Sequence, residues 1–124
     1  MRSRVRSDAA DRLSDAIERY LRDCYARLSP PRVSEFAQVL GLHPVAARRR
    51  VQLLLGVTIS NAIKRGQLRF ACELLSESTL TIAEIADRAA FGSRRSFLRS
   101  FRRGFGQSPG AYRSSKMSLD TGAS

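Results

Sequence analysis

A tight turn between two short helices near the end of the chain restricts the possible folds most strongly. The segment 81–113 opens with Thr81 and Glu84, which have the spacing of a capping box that begins a helix. A turn over 90–92 follows, and the next helix carries five arginines and no acid over 94–103. This order is typical of a helix-turn-helix whose second helix lies against a polyanion.

The charge of the chain is strongly basic and unevenly distributed. Lys and Arg number 22 against 11 Asp and Glu, which gives a formal net charge of +11 in 124 residues. No acid occurs over 36–72 or over 88–119, so the sequence has two separate basic segments. Neither segment pairs its charge with a broad Trp, Leu or Phe face, which a membrane-surface helix needs. Two contact surfaces for one nucleic acid are therefore expected.

Other function classes find little support. No apolar run approaches the roughly 18 residues needed to cross a bilayer, and the basic N-terminus lacks the apolar core of a secretory signal. His43 is the only histidine, and no phosphate-binding glycine loop follows a strand. Cys24 and Cys72 fit no metal spacing and are expected to be reduced thiols buried in helices of a cytosolic protein. We expect no enzyme, no catalytic residue, no metal and no cofactor.

Helical periodicity extends over nearly the whole chain and predicts an all-α fold of about seven helices. Two helix-turn-helix subdomains of the homeodomain-like type are expected, joined by a long linker helix. The expected organisation is a basic flexible arm at 1–7, a first helix-turn-helix subdomain at 8–57, a linker helix at 58–76, a second helix-turn-helix subdomain at 77–113 and a disordered tail at 114–124.

A weak internal repeat supports the two-subdomain prediction. Both 33–55 and 82–104 combine a short helix, a tight turn and a basic helix. Ala37 matches Ala86, and Gly41 matches Ala90, at a spacing of 49 residues. Small residues at these positions allow two helices to cross closely at the turn.

The outward faces of the two basic helices hold the candidate contact residues. On a helical wheel, Phe97 and Phe101 fall opposite Arg95 and Arg99, so one face is expected to anchor the helix while the other reaches a DNA groove. The candidates for contact with base edges are Val45, Arg48, Arg49, Arg95, Ser96 and Arg99. The candidates for contact with phosphates are Gln52, Arg94, Arg102 and Arg103.

Several motifs over 33–113 resemble one family. They are Ile-Ala-Glu-Ile-Ala at 82–86, Phe-Gly-Ser at 91–93, Ser-Phe-Leu-Arg-Ser-Phe-Arg at 96–102, Phe-Gly-Gln-Ser-Pro at 105–109 and Ala-Tyr-Arg at 111–113. These motifs resemble the DNA-binding domain of the AraC/XylS family of bacterial transcription regulators. The resemblance implies a seven-helix domain whose two recognition helices enter successive major-groove segments of duplex DNA, about 34 Å apart. The base-contacting positions of the family fall on the six candidates given above.

The resemblance also implies a mode of action. Members of the family recruit or block RNA polymerase, so RNA polymerase is an expected partner, in a cytoplasmic, nucleoid-associated setting. Acidic faces near Asp15 and Glu18, or near Glu73 and Glu77, are candidates for that contact. Binding as a monomer is expected, and no segment is long enough for the ligand-binding domain that many relatives carry. A short stand-alone regulator and a piece of a longer one both fit.

Five positions depart from the family pattern. Gln67 replaces a usual Arg, so an anchor on the linker helix is expected to be missing. Ala90 replaces the usual Gly of the second turn, a mild change for a residue with negative φ. His43, Ala47 and Arg50 replace a Ser-like cap, a packed Leu and an apolar residue. The second helix-turn-helix is therefore expected to carry more of the specificity. For the first, three alternatives stay open from the sequence: it reads bases, it touches backbone only, or it is poorly ordered without DNA.

Two other interpretations remain open from the sequence. One is a nonspecific architectural or RNA-binding basic protein, whose affinity would be uniform across sequences and steeply dependent on salt. The other is a degenerate relative that binds a regulatory protein instead of DNA, for which the outward arginines of the last basic helix would be dispensable.

Overall fold

The computed structural model describes the backbone of residues 2–122 and the side chains of residues 8–117. Within those residues the regular structure is entirely helical, which confirms the predicted fold class. The helices are α1 (Arg2–Arg27), α2 (Val33–Leu40), α3 (Pro44–Leu55), α4 (Ile59–Glu77), α5 (Ile82–Arg88), α6 (Arg94–Phe105) and α7 (Pro109–Gly122). None of the helices in this described part combines the length and apolar character that crossing a membrane requires.

The two ends of the chain differ from the prediction. Helix α1 begins at Arg2, inside the predicted flexible arm, and α7 continues to Gly122, inside the predicted disordered tail. No Pro or Gly interrupts 2–27 or 111–121, so nothing in these stretches breaks a helix once it has begun. Residue 1 of the arm and residues 123–124 of the tail lie outside the described residues.

The chain divides into two compact units, unit 1 (Met1–Gly66) and unit 2 (Gln67–Ser124). The division falls inside α4, where the sequence predicts a separate linker helix at 58–76. Each part of α4 contributes to the core of its own unit: Ile59, Ala62 and Ile63 pack with α1, α2 and α3, whereas Leu68, Ala71 and Leu75 pack with α5 and α6. Apolar burial, which is the main stabilising term, thus assigns the two parts of α4 to different cores.

In unit 1, Tyr20 of α1 fixes the start of α2. Its hydroxyl donates to Oε1 of Glu35 at 2.7 Å and accepts from the backbone N–H of Arg32 at 2.8 Å. Its ring lies 5.5 Å from the ring of Phe36, between centroids. Burial, more than any other cause, raises the pKa of Tyr20 well above its usual range. The neutral hydroxyl therefore stays a donor to the carboxylate, and α2 keeps its position on α1.

In unit 2, aromatic side chains form the centre of the core. Phe97 and Phe101 are fully buried, and the ring of Phe101 lies 5.4 Å from that of Tyr112 in α7. The guanidinium of Arg113 also donates to the backbone carbonyls of Leu75 and Ser78, at 3.1 and 3.3 Å. These contacts hold α6 and α7 against the end of α4 and leave the opposite side of α6 in solvent.

Candidate nucleic-acid interface

The second helix-turn-helix (α5, the turn after it, and α6) begins with the predicted capping box. The hydroxyl of Thr81 accepts from the backbone N–H of Glu84 at 3.1 Å, and the carboxylate of Glu84 accepts from the backbone N–H of Thr81 at 3.0 Å. The hydrogen bond from the backbone of Thr81 is the main reason that the pKa of Glu84 is lowered. The cap fixes the first turn of α5, whose Ile85 and Ala86 are buried.

The turn after α5 contains a residue in the left-handed backbone region. Ala90 has φ +59°, so the negative φ that would make its replacement of the usual Gly a mild change is not present. The N–H groups of Ala90 and Phe91 donate to the carbonyls of Asp87 and Ala86, each at 3.0 Å, and this pair of bonds requires the left-handed residue. Such a backbone costs an alanine about 1–2 kcal/mol, which the surrounding structure must offset.

Gln67 supplies an anchor at this turn. Its side chain is only 2% exposed, and its amide nitrogen donates to the carbonyls of both Ala89 and Ala90, each at 3.0 Å. The expectation that the linker helix lacks an anchor here is therefore wrong, because a buried amide supplies two donors to the turn. The sequence signal was a Gln one helical turn from the apolar Ile63 and from the apolar Ala71, which sequence reasoning interpreted only as a lost Arg.

Helix α6 is held by one face and presents the other to solvent. The hydroxyl of Ser93 caps it by accepting from the backbone N–H of Ser96 at 3.1 Å, and Phe97 and Phe101 anchor its inner face. Exposed on the outer face and at the ends are Arg94, Arg95, Ser96, Arg99, Arg102 and Arg103. Arg94, Arg95, Arg99 and Arg102 line one open depression with Leu98. All six candidates of this helix are thus exposed, and four of them share this depression.

The first helix-turn-helix (α2, the turn after it, and α3) repeats the same backbone design. Gly41 has φ +69°, and the N–H groups of Gly41 and Leu42 donate to the carbonyls of Gln38 and Ala37, each at 2.9 Å. These bonds match those of the second turn at a spacing of 49 residues, as the sequence repeat predicts. Nδ1 of His43 accepts from the backbone N–H of Val45 at 3.2 Å, so His43 caps α3 in place of the usual Ser.

Helix α3 also separates an inner from an outer face. Ala47 and Val51 are fully buried, whereas Val45 is 54% exposed. The other candidates of this helix, Arg48, Arg49 and Gln52, are exposed, and so is Arg50. One open depression is lined by Arg48, Arg49, Gln52, Leu53, Thr58, Ile59 and Ser60. Thr58 and Ser60, just before and at the start of α4, therefore add two hydroxyl side chains to this surface, which sequence reasoning missed. The hydroxyl of Thr58 also accepts from the backbone N–H of Asn61 at 3.1 Å and so caps α4.

The arginines of α3 and α6 differ from Arg22 and Arg27 of α1 in their partners. In α1, Arg22 lies 3.7 Å from Glu18, and Arg27 lies 3.4 Å from Asp23 and 4.0 Å from Glu35. Among the described residues, none of the arginines of α3 or α6 forms an ion pair or a side-chain hydrogen bond. Their guanidinium groups therefore keep all their donors for an external anion.

The described residues offer little for other chemistry. No group of His, Cys, Asp and Glu within them is arranged to hold a metal ion. Both cysteines are free thiols, as expected, but only Cys24 is fully buried. Cys72 is partly buried, and burial is the main reason that its pKa is raised.

Comparison with known proteins identifies the family. A family model described as a helix-turn-helix domain matches residues 36–115, well over half of the chain. A comparison with curated proteins gives no significant match. Among solved structures, the C-terminal domain of AraT, a response regulator from Geobacillus stearothermophilus, is 24% identical, with 86% of this chain and 84% of that chain covered and a TM-score of 0.74.

Two further structures share the fold. The DNA-binding domain of the global transcriptional factor AdpA, solved in complex with a target DNA, is 25% identical over 83% of this chain and 90% of that chain, with a TM-score of 0.74. An AraC-type transcriptional regulator from Chromobacterium violaceum is 21% identical over 92% and 94%, with a TM-score of 0.70. By this match and these folds, the chain belongs to the helix-turn-helix family of AraC/XylS-type transcription regulators and carries the family's DNA-binding domain.

Proposed function

We propose that this protein is a sequence-specific regulator of transcription that binds double-stranded DNA with both of its helix-turn-helix motifs. The observation that carries the proposal is the repeated arrangement of an anchored inner face and an outer face of arginines without acidic partners. Helices α3 and α6 would each enter a major-groove segment, and the two segments would be adjacent on the duplex. The AdpA domain, which shares this fold, was solved in complex with a target DNA, and this supports DNA binding by the present chain.

The proposed roles follow from the position of each side chain on its helix. Residues in the first turns of a recognition helix reach base edges, and residues further along or at its margins reach the phosphates. The proposed base contacts are Val45, Arg48, Arg49, Arg95, Ser96 and Arg99. The proposed phosphate contacts are Gln52, Arg94, Arg102 and Arg103. The phosphate contacts position the helices, and the base contacts determine which sequence is preferred.

The remaining parts of the proposal extend the family's mode of action to this chain. The protein acts as a bacterial regulator and not as an enzyme, in the cytoplasm with the nucleoid. It binds DNA as a monomer, because two motifs in one chain supply two reading helices. RNA polymerase is the proposed protein partner, and the exposed acids of α1, such as Asp15 and Glu18, are available for that contact.

Binding measurements with three variants test the DNA-binding proposal. The tightest-binding duplex is selected from a random pool, and its affinity is compared with that of a scrambled duplex at fixed salt. Arg95→Ala and Arg99→Ala should each weaken binding to the selected duplex by roughly 1–3 kcal/mol. Arg19→Ala removes an equal charge from an exposed site on α1 and should change the affinity little. Circular dichroism checks that all three variants remain folded.

The same measurements separate the two competing interpretations. An architectural protein would bind selected and scrambled duplexes equally, and each of the three variants would lose affinity by a similar amount, since phosphate contacts carry no sequence information. A protein-interaction module would bind no duplex at near-physiological salt. Either outcome would contradict the proposed function.

A further inference from the structure

We infer that α6 is a guanine reader: the DNA segment bound by unit 2 contains two guanines, contacted by Arg95 and Arg99. This inference rests on the proposed function and specifies its ligand. It follows from the register of α6 on its core, from the absence of internal partners for its arginines and from the amino acids that its outer face lacks.

The register of α6 fixes which side chains can reach a base. Phe97 and Phe101 are fully buried, and the ring of Phe97 lies 4.9 Å from that of Phe91 in the preceding turn. Because this face is anchored, rotation of the helix about its axis is opposed by the whole aromatic core. Arg95 and Arg99 therefore stay together on the outer face, one helical turn apart, with about 5–6 Å between their Cβ atoms.

The guanidinium groups of Arg95 and Arg99 are available. Both residues are exposed, and in the part of the chain that the structure describes neither forms an ion pair. Arg27, in contrast, is shared between Asp23 and Glu35. The two arginines of α6 therefore need not break an internal interaction in order to bind DNA. All the N–H donors of each planar guanidinium group are available for recognition.

The composition of α6 restricts the base that it can select. Its sequence is Arg-Arg-Ser-Phe-Leu-Arg-Ser-Phe-Arg-Arg-Gly-Phe. Asn and Gln, which bind adenine with two hydrogen bonds, are absent, and so are Asp and Glu, which accept from cytosine. Arginine pairs with O6 and N7 of guanine, and serine discriminates little between bases. Guanine is thus the base for which this helix has a two-bond contact.

Helix α3 has no such restriction. Among its proposed base contacts is the half-exposed Val45, which suits a thymine methyl group, together with Arg48 and Arg49. The two halves of the target are therefore expected to differ in composition. In the half bound by α6, we expect the guanines within about three base pairs of each other. This follows because the two arginines are one helical turn apart and the DNA rises about 3.4 Å per base pair.

Base analogues combined with side-chain variants test the inference. In the tightest-binding duplex, each guanine is replaced in turn by 7-deazaguanine, which lacks the N7 acceptor, and each adenine by 7-deazaadenine as a control. We expect two guanines at which the analogue weakens binding of the unchanged protein about 3- to 10-fold. At one of them the effect should shrink to about 2-fold or less in Arg95→Ala, and at the other in Arg99→Ala, whereas Arg19→Ala should retain both effects.

Other results overturn the inference in distinguishable ways. A preferred duplex in which no guanine is coupled to Arg95 or Arg99, or in which the coupled bases are adenines, contradicts guanine reading and leaves the proposed function standing. A pool from which no preferred duplex emerges contradicts the proposed function and the inference together.

Discussion

The two helix-turn-helix motifs share a backbone and differ in how side chains hold it. Both turns close with the same pair of hydrogen bonds around a left-handed residue. In unit 1 that residue is Gly41, which adopts this backbone without strain. In unit 2 it is Ala90, and the buried amide of Gln67 donates to its carbonyl and to that of Ala89. The same local geometry is thus reached by an intrinsic preference in one motif and by a tertiary contact in the other.

The anchoring of the two recognition helices differs as well. Behind α3 lie the small side chains of Ala47 and Val51, whereas behind α6 lie Phe97 and Phe101. Larger buried side chains contribute more burial energy and make more packing contacts. We infer that α6 is the more firmly oriented helix and that the second motif therefore carries more of the sequence specificity.

The largest expected effect comes from truncating the anchor of each helix. Phe101→Ala should lower the stability of unit 2 by roughly 3–5 kcal/mol, because it removes a fully buried ring from the aromatic core. Val51→Ala should lower the stability of unit 1 by about 1.5–2 kcal/mol, since only two methyl groups are lost. Hydrogen exchange, resolved by segment, measures the two units separately. Equal losses would contradict the difference in anchoring.

Removing the hydrogen bonds of Gln67 should have an intermediate effect. Gln67→Leu keeps the size of the side chain but leaves the carbonyls of Ala89 and Ala90 without this donor, which should destabilise unit 2 by roughly 1–3 kcal/mol. Gln38→Leu makes the same change at an exposed position of α2 and should alter stability by about 0.5 kcal/mol or less. Chemical denaturation measures both variants. A Gln67→Leu protein as stable as Gln38→Leu would mean that the amide does not support the turn.

Exchanging the two turn residues sharpens the comparison further. Gly41→Ala places a side chain at φ +69°, where nothing lies within 4 Å of the new Cβ, so the expected loss of about 1–2 kcal/mol is backbone strain alone. Ala90→Gly relieves a similar strain but loses a buried methyl group, worth about 0.8 kcal/mol. It also raises the conformational entropy of the unfolded chain, which lowers the free energy of unfolding. Its net effect should be within about 0.5 kcal/mol of zero by thermal unfolding. Similar losses for both variants would show that Gly41 has no special role.

The smallest expected effect is on the way the stability of unit 2 depends on pH. The pKa of Glu84 is lowered, chiefly by the hydrogen bond from the backbone of Thr81. Its folded pKa thus lies below its unfolded value, so its stabilisation is present above the ordinary carboxyl pKa and is lost as the pH falls through the folded pKa. Glu84→Gln keeps an acceptor but cannot titrate, so it should flatten this part of the stability curve. Thermal unfolding between neutral and acidic pH checks this, and an unchanged curve would contradict it.

Much of the fold follows from local sequence signals. The capping box of Thr81 and Glu84 marks a helix start, and α2 and α3 together fill the predicted helix-turn-helix stretch 33–55. These features depend on residues close in sequence, and for this reason periodicity and capping patterns reveal them. The resemblance to the AraC/XylS family likewise rests on motifs that are contiguous in the chain.

The unforeseen features depend on residues far apart in sequence. The bonds of Gln67 span 22 and 23 residues, and one of them goes to the carbonyl of Ala90, which lies in the left-handed region. A periodicity pattern shows that Gln67 occupies a buried stripe of α4, but it does not show which carbonyls meet its amide. The division of the cores within α4 is also set by packing, which no local signal reports.

Selection of random duplexes by the purified chain, at near-physiological salt and with sequencing of the retained DNA, tests the central claim most directly. We expect a motif of two short blocks about one helical turn apart, with guanines in one block. Loss of that block in selections with Arg95→Ala and Arg99→Ala combined would assign it to α6. A single block, or retained DNA without any preferred sequence, would contradict the claim that the protein recognises DNA with both helix-turn-helix motifs.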